Sequence, residues 1–306
     1  MRIFVSGSLA YDRIMDFPGR FADHILPEKI HILKVCFMVN GLIERFGGTA
    51  GNIAYSLKLM GENPIIVAAV GQDHQRYFDW LNRNCISTSH IQVFPDDFTA
   101  SAYITTDLAD NQITGFHPGA MKYPTNLDLE AFPPRETLVI VSPGNLEDML
   151  RYSRLCQQKD IDYVFDPGQA LPLFNAEDLV SCIRGCRLLI SNEYEQDLIL
   201  KKTGLQLADL VDLAGTVVVT RGERGSSVIT AESRSDIPSA RPRRVVDPTG
   251  AGDAYRGGLL SGLVRRKSLQ ESARLGSVCS SFCVECYGTQ EYTFSPSEFD
   301  ERMTVI

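Results

Sequence analysis

The run Val245-Val246-Asp247-Pro248-Thr249-Gly250-Ala251-Gly252-Asp253-Ala254-Tyr255-Arg256-Gly257-Gly258 decides how this chain is read. Pro248 has no N–H to give and two glycines follow closely, so residues 248–252 cannot lie in mid-helix. From Asp253 onward the pattern turns helical, with Leu259, Leu260 and Leu263 free to pack. Gly250, Ala251 and Gly252 therefore sit at a helix N-terminus, where amides lack intrahelical partners and carry the positive end of the dipole. Small residues there let an anion approach the backbone closely. An aspartate that only capped the helix would not need the glycine run before it. Beside an anion hole, the Asp253 carboxylate can take a proton from a hydroxyl while the amides of 250–252 hold a phosphoryl group. These four residues are the catalytic candidates. Arg256, on the same helix, reads either as a surface cation or as a group that reaches the transferred phosphate or a carboxylate of a lid.

Upstream, short β-branched runs alternate with helical patterns. The runs Ile3–Ser8, Pro64–Gly71, Leu138–Ser142, Asp162–Asp166, Leu188–Ser191 and Thr216–Thr220 read as strands, several of them apolar throughout, as in strands covered on both faces. Thr49 to Met60, Leu146 to Lys159 and Ala176 to Arg184 read as helices, the last two opened by Asn145 and Asn175. Such alternation predicts an α/β fold with a central, mostly parallel sheet. Ser226–Thr230 and Ser235–Ile237 read as antiparallel strands, followed by helices over Asp253–Arg265 and Leu269–Val284. Two stretches break the rhythm. Residues 13–46 separate the first strand from the first helix, where a direct loop takes about 2–6 residues. Residues 97–118 hold a hairpin-like pair, A-S-A-Y-I-T-T-D and Q-I-T-G-F. Insertions of this size are expected to build a small β-sheet lid on one domain spanning 1–306.

Composition narrows the function. The chain has 306 residues, and 30 Lys+Arg against 38 Asp+Glu give a formal charge of −8. Nucleic-acid binders carry a basic face; Arg241-Pro242-Arg243-Arg244 and Arg265-Arg266-Lys267 are too short to make one, so no nucleic-acid partner is expected. The opening M-R-I-F-V-S-G-S runs straight into a strand pattern with no leader, and no apolar run approaches the ~18 residues of a membrane span. The expectation is a cytoplasmic protein with no membrane partner. Of the eight cysteines, Cys279, Cys283 and Cys286 share one helix face, and the five histidines form no ligand cluster. Buried hydrophobes explain the cysteines better than a metal does.

G-A-G-D after D-P-T resembles the signature of the ribokinase superfamily of carbohydrate and nucleoside kinases. Four further motifs follow in family order. G-S-L-A-Y-D carries Ser8 and Asp12, the latter where the family places its sugar-binding aspartate. F-G-G-T-A-G-N carries Gly47, Gly48 and Asn52. S-N-E-Y-E carries Asn192 and Glu195, and T-R-G-E-R-G-S carries Thr220, Gly222 and Gly225. The opening residues, F-H-P-G-A-M and the closing G-T-Q-E-Y are most similar to bacterial adenosine kinases. The resemblance implies a ribokinase-like αβα sandwich with a β-sheet lid, ATP as phosphoryl donor and Mg²⁺ as its counter-ion. Relatives also depend on a monovalent cation such as K⁺.

Each motif has its own physical reading. A carboxylate such as Asp12 offers two acceptors that suit a vicinal diol, and its place after a strand is where open α/β sheets put ligands. Gly47 and Gly48 let backbone approach a sugar, and Asn52 can donate and accept toward hydroxyls. Asn192 and Glu195 follow a strand at the same sheet edge. Alone they read as a helix cap and first-turn acid; within the family Glu195 acts on Mg²⁺ through water. Thr220, Gly222 and Gly225 end another strand, where a turn meets nucleotide. Gln169 in F-D-P-G-Q-A can hydrogen-bond a base or a sugar. A purine needs aromatic faces. The hairpin offers Ala102 where relatives carry an aromatic, Tyr103 points to the opposite face, and Phe116 and Phe37 remain. The expected reaction is phosphorylation of a nucleoside 5′-hydroxyl, adenosine to AMP. The alternatives are a ribose- or fructose-like sugar kinase and a non-catalytic nucleoside-binding regulator. Exposed strand edges invite pairing, so a homodimer would join through the lid.

Overall fold

A computed structural model describes residues 1–25, 31, 32 and 34–306. Positions 26–30 and 33, within the expected 13–46 insertion, lie outside the described residues. Along the chain come β1 (Arg2–Ser6), β2 (Ala10–Asp16), β3 (Ile43–Gly47), α1 (Thr49–Leu59), β4 (Pro64–Val70), α2 (Gln75–Arg83) and β5 (Ile91–Val93). Then follow β6 (Ala100–Thr106), β7 (Gln112–His117), β8 (Thr137–Val141), α3 (Leu146–Lys159), β9 (Asp162–Phe165), α4 (Ala176–Ile183) and β10 (Leu188–Asn192). The last third holds α5 (Glu193–Thr203), α6 (Leu207–Ala214), β11 (Thr216–Thr220), β12 (Ser226–Thr230), β13 (Arg234–Ile237), α7 (Ala251–Val264), α8 (Leu269–Cys283) and α9 (Pro296–Met303).

Nine strands form one sheet in the order β13-β12-β11-β10-β9-β8-β1-β4-β5. It is parallel from β11 to β5, and only β12 and β13 run antiparallel. Alternation along each strand feeds two cores. Ile3, Val5, Ile66, Ala68 and Val70 face α1 and α7, while Phe4, Val67, Val139 and Val141 face α3 to α6. Both faces are covered, which is why these strands read as unbroken apolar runs. Asn145 and Asn175 cap α3 and α4 by accepting the amides of Asp148 and Asp178. Cys279 and Cys283 are buried in the apolar cluster between α8 and its neighbours, as their spacing implies, but Cys286 lies past the end of α8 and is only half-buried; every cysteine is free. Among the described residues, no helix is long and apolar enough to cross a membrane.

A separate sheet, ordered β3-β2-β6-β7, stands beside the large one. β2 and β6 pair parallel, and the outer pairs are antiparallel. Its first strand begins at Ala10, ahead of position 13 where the insertion was expected to start. Asp12 accordingly lies within a strand of this small sheet rather than in the turn after β1. Phe37 packs at a tilt against Phe17 and Phe21, at centroid distances of 4.7 and 5.1 Å, and so belongs to the small sheet's own packing.

Candidate active site

The two sheets meet over a cleft of about 480 Å³. Of the residues singled out from sequence, Asp12, Gly48, Asn52, Gln169, Asn192, Glu195, Thr220, Gly222, Gly250, Gly252 and Asp253 line it. They come from the small sheet, the start of α1, the start of α7 and the C-terminal ends of β9, β10 and β11, where open α/β sheets bind ligands.

Gly250 takes a left-handed conformation, φ 77°, which turns the chain into α7 at Ala251. A Cβ there would stand 2.6 Å from Thr289 Cγ2. The Ala251 amide donates to the Pro248 carbonyl at 3.2 Å. Among the described residues, the Gly252 and Asp253 amides have no carbonyl partner, whereas the Ala251 amide, expected from sequence to be free, is taken. Asp253 follows in the first turn, and its Oδ2 accepts a 2.8 Å hydrogen bond from Asn52 Nδ2. Burial pushes the Asp253 carboxyl up to about 6, with Asp166 and Glu195 adding to the rise, while Arg256 and the Asn52 hydrogen bond hold it down.

Arg256 is neither a surface cation nor a partner of a lid carboxylate. It is only 7% exposed and forks onto Asp166, with Nη2 to Oδ1 at 2.7 Å and Nε to Oδ2 at 2.5 Å. Burial opposes its charge, but the carboxylates of Asp166, Asp253 and Glu195 outweigh that and keep it protonated. Burial raises the Glu195 carboxyl as well, and Asp166 adds to this. Glu195 and Asn192 form a reciprocal cap at the start of α5, each side chain accepting the other's amide at 2.8 Å. The cap geometry read from sequence and the cleft position are thus both real.

Burial, with Asp247 nearby, pushes Asp12 up to about 6. Asp12 is in register with Ala102, and Ala102 with Phe116, so the three share one face of the small sheet. Ile14 and Ile104, one step along, share it too. Tyr103 points the other way, its hydroxyl 2.6 Å from Arg13 Nη1. Phe116 is 53% exposed and stands off the cleft wall.

Four other sequence candidates also lie off that wall. Ser8 is buried, and its hydroxyl accepts the Thr49 amide at 3.0 Å to start α1. Gly47 backs onto the Asp12 carboxylate, and its carbonyl accepts the Tyr77 hydroxyl at 2.7 Å. Ala251 is turned toward α8, its carbonyl taking the Ser280 hydroxyl at 2.5 Å. Gly225 closes the turn into β12, its carbonyl bonded to the Arg221 amide at 2.7 Å. Conversely, Thr49, Pro143, Asp166, Thr249 and Thr289 line the cleft without having been singled out. The F-D-P-G-Q run was noticed for Gln169 alone. Asp166 would have required knowing that β9 ends beside α7.

Fold and cleft together define a ribokinase-like kinase that phosphorylates an alcohol group. The chain belongs to the pfkB family of carbohydrate kinases, whose family model matches residues 34–296. It is 32% identical to a nucleoside kinase of Methanocaldococcus jannaschii over 80% of this chain and 81% of that one. The structure of a Burkholderia thailandensis nucleoside kinase in complex with inosine superposes with a TM-score of 0.85 at 35% identity, covering 99% of this chain and 97% of that one. The M. jannaschii nucleoside kinase structure gives 0.87 at 28% identity, covering 100% and 99%.

Proposed function

We propose that this protein transfers the γ-phosphoryl group of ATP to the 5′-hydroxyl of a nucleoside, with adenosine and other purine nucleosides the first candidates. The observation that carries the reading is Asp253, in the first turn of α7 beside unpartnered amides, with Asp12 on the same cleft. Asp12 would accept the ribose diol. Asp253 would take the 5′-hydroxyl proton as the oxygen attacks phosphorus, and the Gly252 and Asp253 amides would hold charge on the phosphoryl oxygens. Positioning and electrostatic stabilisation are the main contributions a protein makes to such a transfer. The nucleoside kinase relatives, one of them bound to inosine, support the substrate class.

Asp166, Glu195 and Asp253 face the cleft against one guanidinium, a negative surplus that fits a cation. Among the described residues, no cluster of His, Cys, Asp or Glu could hold a metal by itself. Mg²⁺ would therefore be held by ATP phosphates and water, with Glu195 in reach through that water. When bound it would neutralise phosphate charge. The small sheet would act as the lid that excludes water. β7 is exposed along its length, and a second copy joined there belongs to the same reading; sedimentation at the monomer mass would remove that part.

An ATP-turnover screen against adenosine, inosine, cytidine, ribose and fructose, in potassium or choline chloride, tests the function. Turnover confined to free sugars would overturn it, and tight nucleoside binding without turnover would favour a regulator. Asp12→Ala should weaken nucleoside binding by about 1.5–3 kcal/mol per hydrogen bond lost and leave ATP binding nearly unchanged. Equal losses in titrations of the two ligands would make Asp12 structural.

One observation favours the sugar-kinase reading. Ala102 leaves the lid face beside Asp12 without an aromatic at that position. Ala102→Phe should tighten adenosine binding by about 0.5–1.5 kcal/mol and give ribose nothing. Unchanged adenosine affinity would mean that this side chain does not face the base.

A further inference from the structure

A buried polar chain that the reaction scheme leaves unused runs from α2 to Asp253. The Trp80 Nε1–H donates to Gln290 Oε1 at 2.9 Å. Gln290 Nε2 donates to Asn52 Oδ1 at 3.0 Å and to the Tyr77 hydroxyl at 2.8 Å. Tyr77 in turn donates to the Gly47 carbonyl. Asn52 Nδ2 then donates to Asp253. Gln290 is 1% exposed and Asn52 5%.

The direction of this chain is fixed at its ends. An indole N–H can only donate and a backbone carbonyl can only accept. Trp80 therefore dictates which end of Gln290 is oxygen, and Gln290 dictates which end of Asn52 is nitrogen. Thr289 does not. Its hydroxyl lies 2.7 Å from Asn52 Oδ1 and 3.1 Å from the Phe46 carbonyl, so it could donate to either and would tolerate a flipped Asn52.

We propose that Gln290, oriented by Trp80, is a positioning residue that locks the Asn52 carboxamide with its nitrogen toward Asp253. The proposal rests on Asp253 being the base. An ionised Asp253 would select the Asn52 nitrogen unaided. The lock matters once Asp253 carries a proton. A freely rotating Asn52 would then turn its oxygen round and accept that proton's hydrogen bond, stabilising the protonated base. Gln290 forbids the turn, because its own Nε2–H would then face the Asn52 amino group. The carboxylate form keeps its donor and the acid form is denied an acceptor.

The test is the pH profile of kcat at saturating nucleoside, where Asp12 is engaged. Asp253 is also faced by Arg256 on α7, Asp166 after β9, Glu195 on α5, Tyr77 on α2 and Cys283 on α8, all unchanged in the variants. Gln290→Met should move the acid limb up by about one pH unit, the scale of a single hydrogen bond, and Trp80→Phe should move it the same way by less, because Tyr77, donating to the Gly47 carbonyl, still orients Gln290. They should lose several-fold in kcat at pH 6, recover near pH 8.5 and keep KM within about twofold. A purely structural role would lower kcat equally at every pH. That result, or an unmoved limb, overturns the proposal; if Gln290→Met does not fold, Trp80→Phe decides alone. Asp253→Asn is run alongside. If it turns over normally, the base assignment fails; if it is inactive while both limbs stay put, only the lock fails.

Discussion

Under the proposed transfer, Asp253→Asn should lower kcat by about 10²–10⁴, the usual loss on removing a general base, while ATP and nucleoside should still bind. The substitution keeps the shape and the oxygen that accepts from Asn52. It also changes stability in a definite direction. The folded-state carboxyl sits near 6, above the ordinary aspartate value of 3.8. A group raised in this way contributes stability below about pH 4 and loses it as pH rises through 6. At pH 7.5 the wild-type protein therefore carries an ionised group that its surroundings disfavour. The Asn variant should melt higher at that pH, by up to about 2–3 kcal/mol, with the difference vanishing near pH 4. An aspartate serving only as a cap predicts otherwise, since Asn caps as well as Asp. Turnover within about threefold of wild type would sink the base assignment.

Arg256→Met is expected to be the most destabilising single change in the cleft, costing about 3–5 kcal/mol. It leaves Asp166 buried without its partner and removes the guanidinium that sits among three carboxylates. Burial already raises Asp166 against the pull of Arg256, and without the arginine the rise would be larger. The loss should therefore be greatest at pH 8 and shrink at pH 5, as the carboxyls take up protons instead. Denaturant unfolding at both pH values measures it. A variant as stable as wild type at pH 8 would mean that the pair is not buried in solution. Replacing Asp166 with Leu as well should recover part of the loss, because a matched apolar pair leaves no charge stranded.

Much of this site was legible because its elements are local. A glycine run before an aspartate defines a helix start within five positions, and the reciprocal cap of Asn192 and Glu195 fits in one turn. The parallel sheet announced itself through strands buried on both faces. What stayed hidden depends on distant partners. Asp166 meets Arg256 across 90 residues and Gln290 meets Asn52 across 238, and neither pairing leaves a periodic trace. Ser8 and Gly47 resemble contact residues in sequence. Their hydroxyl and carbonyl are spent on Thr49 and Tyr77, which only packing decides. α2, α5, α6 and α9 also went unassigned, although α5 and α9 each open on a reciprocal cap, Asn192 with Glu195 and Ser295 with Glu298; all four are short, and tertiary packing rather than propensity holds helices of this length in place.

The order in which the parts of the cleft occur along the chain has a consequence for biosynthesis. Asp12 and Asn52 belong to the opening residues, whereas Asp253 lies 201 positions after Asn52, and Gln290 lies 210 after Trp80. On the ribosome, the small-sheet and α1 side of the cleft is translated long before the α7 side. A nascent chain stalled before α7 holds Asp12 and Asn52 but neither the unpartnered amides nor the carboxylate of Asp253 on which the proposed transfer rests. Under the proposed reaction, the residues assigned to phosphoryl transfer are therefore the last part of the cleft to be synthesised.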